Sequence, residues 1–113
     1  KLIYKNLKVS KARTHTGLPT WIVSVEVHNE SEMAAKETVL LYLHDQVASV
    51  TPAVKKLKRF DKKRIPANGF ETFEFTLNED DLKFIGPSGK KVLEGGDWDV
   101  YVGNLTETIT YRP

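Results

Sequence analysis

Hydrophobic and polar positions alternate along most of this chain, most sharply over residues 21–29. Trp21, Val23, Val25 and Val27 fall on one face, and Ile22, Ser24, Glu26 and His28 on the other. A period of two with one apolar face predicts a half-buried antiparallel strand. Residues 2–9 predict a first strand, with Leu7 and Val9 flanking Lys8. Residues 70–77 predict another, with Phe73, Phe75 and Leu77 on one face. Trp98, Val100 and Val102 alternate with Asp97, Asp99 and Tyr101, and residues 106–111 predict a last, threonine-rich strand. Turns are marked by Gly17 with Pro19, by Ala67-Asn68-Gly69, by Gly86-Pro87-Ser88-Gly89 and by Gly95-Gly96, with a short strand over 90–93 between the last two. Asn78 followed by three carboxylates predicts one helical turn, because a side-chain oxygen caps the first amides and the helix dipole favours anions there.

Two stretches depart from simple alternation. In 38–44, Val39, Leu41 and Leu43 make one apolar face, but Leu40 and Tyr42 make the other apolar too. A strand apolar on both sides is expected only where something covers its outer face, so this strand predicts a docking surface. Residues 55–64 carry seven basic side chains, with Val54, Leu57 and Phe60 recurring every third position. Pro52 and Pro66 leave little room for a helix. The expectation is a charged edge strand with an irregularity near Lys58 and Arg59 that turns Leu57 and Phe60 both inward. Together these elements predict an all-β fold, an antiparallel two-sheet sandwich of about seven strands. Without the Cys…Trp…Cys pattern of immunoglobulins, a fibronectin type III-like version is the better fit.

A chain of 113 residues makes one domain, 1–113, large enough to bury its own core. Its 40% hydrophobic and 28% charged content is that of a globular fold. The net charge of +2 gives no ground for a nucleic-acid or membrane partner. No apolar run approaches a membrane span, and no signal peptide is visible. Having no cysteine, the chain has no disulfide framework or thiolate chemistry. It starts at Lys1 rather than Met, which suggests an excised piece or a processed product.

Candidate chemistry is sparse. Asp97 with Asp99 and Asp80 with Asp81 flank turns or lie on expected solvent faces rather than in a cleft that would split their pKa values. The three histidines lack metal-ligand spacing, although His28 and His44 fall on strand patterns that a chance pair could join. No cofactor, metal or catalytic residue is expected. The basic run could bind a polyanion, but the low net charge and the acidic side chains elsewhere favour a solvated, charged edge strand. Trp21 and Trp98 belong to core faces. Tyr42 and Tyr101 face outward and suit either a sugar ring or a docked protein, and the neighbouring Leu40 favours the protein. Asn29-Glu30-Ser31 and Asn104-Leu105-Thr106 match the glycosylation acceptor pattern, a signal common by chance.

Read in order, the chain resembles the C-terminal fibronectin type III-like domain of glycoside hydrolase family 3 enzymes, the β-glucosidases and β-xylosidases. The resemblance runs through 2–9, the V-x-V-x-V-x-N strand of 23–29 and the strand of 37–43. Its most specific part is Val47-Ala48-Ser49-Val50, then Pro52, Val54-Lys55, Leu57 and Phe60; the turn at 65–69 and the segments 72–82 and 96–103 continue it. Thr51 and Arg59 stand where the family often has Arg and Gly. Leu40 replaces a usual Gln, and Lys63 replaces a usual apolar residue and must extend its amine to solvent. The resemblance implies a non-catalytic accessory module, because the family's nucleophile and acid/base carboxylate lie in preceding domains. It implies that the partner is the catalytic part of the same parent chain, with direct sugar contact a lesser option, and that the parent works in the periplasm or is secreted. The expected docking residues are Leu40, Tyr42, Gln46, Val47, Ser49, Val50, Pro52 and Tyr101. The competing reading is an independent carbohydrate- or polyanion-binding module.

Overall fold

In a computed structural model, residues 1–46, 55–85, 89, 91–93 and 95–112 are described. Strands β1 (Leu2–Arg13), β2 (Pro19–Asn29) and β5 (Phe70–Asn78) form a three-stranded antiparallel sheet in the order β1-β2-β5. Strands β3 (Ala35–Asp45), β4 (Lys56–Ile65), β8 (Gly96–Val102) and β9 (Leu105–Tyr111) form the second sheet, in the order β4-β3-β8-β9. A one-turn helix α1 (Glu79–Leu82) and a small hairpin of β6 (Phe84–Ile85) and β7 (Lys91–Val92) lie between β5 and β8. The expected two-sheet antiparallel sandwich is therefore what forms.

The alternation explains the core. Trp21, Val23, Val25 and Val27 of β2 and Phe73, Phe75 and Leu77 of β5 face Val39, Leu41 and Leu43 of β3 and Trp98, Val100 and Val102 of β8. Ile109 and Tyr111 of β9 and Leu82 of α1 complete it. A bulge in β1 sets its register: Lys5 pairs with Glu26 and Lys8 with Ser24, so Asn6 and Leu7 share one position opposite Val25. Asn6 takes φ 56°, a conformation that asparagine tolerates better than most residues. The extra residue brings Tyr4 and Leu7, three apart, onto the same core-facing side.

Tyr4 fills the notch beyond the β8–β9 hairpin. Its hydroxyl donates to Glu37 Oε2 at 2.8 Å, and its ring lies where a Cβ on Gly103 (φ 60°) would come within 2.8 Å, so this turn position requires glycine. Burial, and then the hydrogen bond to the Glu37 carboxylate, push the Tyr4 phenol well above its ordinary range.

The predicted irregularity in β4 is present, but its consequence is the reverse of the expectation. Leu41 pairs with Arg59 and Tyr42 with Leu57, leaving Lys58 as the extra residue. Leu57 and Phe60 do share a face, and it is the outer one: they are 48% and 69% exposed. The inner positions go to Arg59, Asp61, Lys63 and Ile65, because β4 is an edge strand over the open seam facing β5 and α1, where long polar side chains reach across. Arg59 forms a two-pronged pair with Asp81, Nη1–Oδ1 2.9 Å and Nη2–Oδ2 2.7 Å. Lys63 lies along the Phe73 ring and donates to Thr72 O at 2.7 Å, which is how a lysine occupies a position expected to be apolar.

Asp81 also accepts from the Asn78 amide at 2.9 Å, while Asn78 Oδ1 caps the Asp80 amide at 2.9 Å, confirming the predicted helix start. With its side chain only 11% exposed, Asp81 ties the edge of one sheet to the end of the other. Asp81→Ala should lower stability by about 1–3 kcal/mol in urea denaturation, since it strands a charged partner and half of the cap. Lys83→Ala, which breaks only the exposed pair with Asp80, should stay within about 0.5 kcal/mol. Equal effects of the two would remove the seam from any account of stability.

Candidate docking site

Cross-strand pairing assembles the outer face of the four-stranded sheet. Leu40 lies opposite Phe60, Tyr42 opposite both Leu57 and Tyr101, and Tyr101 opposite Thr106. Of the six exposed large hydrophobics among the described residues, Leu40, Leu57 and Phe60 fall on this one face, so the exposure is concentrated rather than scattered. Tyr42 and Tyr101 are half-buried beside them. Lys55 places its Nζ 5.0 Å from the Tyr42 ring centre and 4.9 Å from that of Tyr101, a cation held over two ring faces. Tyr4, Thr38, Leu40, Tyr42, Lys55, Tyr101 and Gly103 line a shallow groove of about 170 Å³ there.

A polar cluster adjoins the patch. Asp99 accepts from Gln46 Nε2 at 2.7 Å, lies 3.4 Å from His44 Nδ1 and takes a long 3.5 Å contact from the Tyr101 hydroxyl. The Gln46 amide donates to Asp97 O at 3.1 Å, so both its backbone and its side chain are fixed on β8. Asp99 is thus neither freely solvated nor poised in a cleft; like Asp81, it is a structural acceptor, which corrects the solvent-face reading of both.

Of the expected docking residues, Leu40, Tyr42, Gln46 and Tyr101 come together on this face, while Val47, Ser49, Val50 and Pro52 lie outside the described residues. The structure adds Leu57 and Phe60 to this face, which the sequence pattern places inside, and gives Lys55, part of the expected 46–56 docking loop, its place over the two rings. The signal for the first two was their spacing of three across a bulge, and only the register says which side they take.

Elsewhere the structure corrects two further readings. His28 and His44 lie on different sheets, and His28 stacks on Phe70 at 4.8 Å while its Nε2 lies 2.8 Å from Glu26. That contact, with a weaker one from Asn6, holds the Glu26 carboxyl below its usual range. Among the described residues no three His, Asp or Glu side chains are placed to hold a metal. Asn29, in the first acceptor triplet, is buried with its amide nitrogen bonded to Met33 O and Ile65 O. It is a turn anchor, inaccessible to modification in the folded domain. No helix among the described residues is long and apolar enough to cross a membrane.

Comparison with known families places this fold. The model described as "Fibronectin type III-like domain" matches residues 37–106. The chain belongs to that family. This fibronectin type III-like domain is 36% identical over 110 residues to a lysosomal β-glucosidase of Dictyostelium discoideum, the match covering 89% of this chain and 13% of that protein. It is 34% identical over 90 residues to a putative β-xylosidase of Formosa agariphila, covering 80% of this chain and 12% of the relative. Among solved structures, the family 3 β-glucosidase of Bifidobacterium adolescentis superposes with TM-score 0.82 at 26% identity, over 97% of this chain and 17% of that one. The domain thus spans about one-eighth of the length of these curated relatives.

Proposed function

We propose that this domain is the C-terminal, non-catalytic module of a family 3 β-glycosidase, a β-glucosidase or β-xylosidase acting on terminal β-linked sugars, and that it stabilises the catalytic part of the parent by docking on it. The observation that carries the reading is the apolar patch of Leu40, Tyr42, Leu57, Phe60 and Tyr101 on the outside of an already closed sandwich. The inner core uses none of these side chains. Covering them would bring about 25 cal/mol per Å² of apolar surface removed from water, so even a modest contact contributes several kcal/mol. The length of the relatives supports a partner within the same chain. A parent outside the cytoplasm, in the periplasm or secreted, fits the name of a relative 32% identical over 80 residues, a periplasmic β-glucosidase of Salmonella typhimurium.

The geometry gives less support to an independent polyanion or sugar module. Arg59 is paired with Asp81, Lys63 is held at Thr72, and Lys55 covers the tyrosine faces that a sugar would stack on.

Leu40→Asp combined with Phe60→Asp should lower the thermal midpoint of the full-length parent by about 5 °C. The same pair in the 113-residue chain should change its stability by no more than about 0.5 kcal/mol per site, because both side chains already face water there. A parent whose midpoint is unmoved would end the docking reading. Titration of the 113-residue chain with xylo- and gluco-oligosaccharides would reveal a sugar module by saturable shifts at Tyr42 and Tyr101.

A further inference from the structure

The apolar patch has a cation at its centre, and that sets a condition on whatever covers it. Lys55 is exposed, sits over the rings of Tyr42 and Tyr101, and makes no ion pair among the described residues. Any surface that buries Leu40, Leu57 and the two tyrosines also removes the Lys55 ammonium from water. Desolvating an ammonium costs several kcal/mol. Two tyrosine faces return about 1–2 kcal/mol between them, so the rings alone do not offset burial. The Asp99 carboxylate on the same face is already engaged with Gln46 and His44 and has no contact with Lys55.

A second feature has the same sign. On the two cross-strand rows beyond Leu40 and Phe60, Lys36 pairs in register with Arg64 and Thr38 with Lys62. Lys36, Lys62 and Arg64 are exposed and make no ion pair among the described residues. Arg64 shares a cavity with Glu32 and Glu71, so its field is partly offset; Asp61, next to Lys62 in the chain, sits at an inner position of β4 and accepts from the Lys62 backbone amide at 2.8 Å. The apolar patch is therefore centred on one cation and bordered by two more.

We infer that the surface of the parent chain seated on this face presents a carboxylate, Asp or Glu, directly to Lys55, with further acidic side chains opposite Lys36 and Lys62. This rests on the docking reading above and names the chemistry of its partner. The occupant is the remainder of the same chain, which in relatives makes up the large majority of the length.

The test uses the full-length parent and compares Lys55→Met, Lys55→Arg and Lys36→Glu/Lys62→Glu with Leu40→Asp, by calorimetry at low and at high salt. A buried carboxylate deprived of its cation is penalised, so Lys55→Met should lower the midpoint by about 3 °C or more, and Lys55→Arg should restore most of the loss. Lys36→Glu/Lys62→Glu should lower it at low salt and less at 0.5 M salt, where rim charges are screened within about 4–5 Å. If Leu40→Asp lowers the midpoint while Lys55→Met leaves it unchanged or raises it, the docking face stands and the acidic partner is wrong. If neither substitution moves it, both fall. A parent that sediments as a dimer dissociated by Leu40→Asp would make a second copy the occupant and overturn the assignment.

Discussion

Trp98→Ala should destabilise this domain by about 3–5 kcal/mol, the largest loss expected from any single truncation in it. Trp98 is 3% exposed and meets Tyr111 edge-on, ring centres 6.4 Å apart at 77°. Tyr111 in turn meets Trp21 at 6.0 Å and 64°. Trp98 and Tyr111 belong to one sheet and Trp21 to the other, so the three rings clamp the sandwich at one end. The Tyr111 hydroxyl donates to Glu79 Oε2 at 2.7 Å, which raises the phenol above its usual range and ties the clamp to the first residue of α1. Removing the indole opens a cavity that rings on two sheets cannot both move to fill. Trp98→Phe should cost about 1–2 kcal/mol, since most of the volume stays. Combined with Tyr111→Ala, Trp98→Ala should fall short of additivity by about 0.5–1.5 kcal/mol, the coupling of an edge-on aromatic pair. Urea denaturation of the 113-residue chain measures all three. Additive losses would mean that the rings pack side by side without acting as a unit.

Asn29→Asp is expected to be nearly as damaging, with a pH signature. Asn29 is 2% exposed, and its amide nitrogen donates to Met33 O at 2.8 Å and Ile65 O at 3.3 Å while Oδ1 accepts from the Ser31 amide at 3.0 Å. It thus joins the end of β2 to the loop before β3 and to the last residue of β4. A carboxylate in its place would aim negative oxygen at two carbonyls in a buried site, at a cost of about 3 kcal/mol or more near neutral pH. Burial and those carbonyls would raise the folded-state pKa of the introduced carboxyl above its unfolded value near 4. The penalty is then smallest below the unfolded pKa and grows as pH rises toward the folded one. The gap between the variant and the unaltered chain should accordingly narrow from pH 7 to pH 4, whereas Asn29→Ala, about 2 kcal/mol down, should show no such narrowing. A gap independent of pH would mean that water reaches the site.

The alternating stretches made most of the fold legible. From 21–29, 70–77 and 96–103, a period of two selected the buried residues correctly, because a strand with one buried face leaves little freedom about which side is apolar. The helix start at Asn78 was equally clear, since capping is local chemistry between neighbours. The extension of β1 to Arg13 was not, because Lys11 and Arg13 carry no apolar alternation and are held by pairing with Trp21 and Pro19. The direction of Leu57 and Phe60 was not legible for a related reason. A bulge reverses the alternation on one side of itself, and a strand's own residues do not say which side.

The sequence by itself determined a two-sheet sandwich, its tryptophan and valine core, and a strand through Leu40 and Tyr42 apolar on both faces. These follow from periodicity and capping, which act within one element. Tertiary structure alone decided that Arg59 and Lys63 reach across the seam while Leu57 and Phe60 face outward, and that Lys55 comes to rest over Tyr42 and Tyr101. Those positions depend on the register between β4 and β3 and on β4 lying at the edge of its sheet, where inner positions are open to charged side chains and outer ones extend the face of the neighbouring strand. A stretch that read as a charged edge anchored from inside is instead a charged seam on its inner side and half of an exposed apolar patch on its outer side.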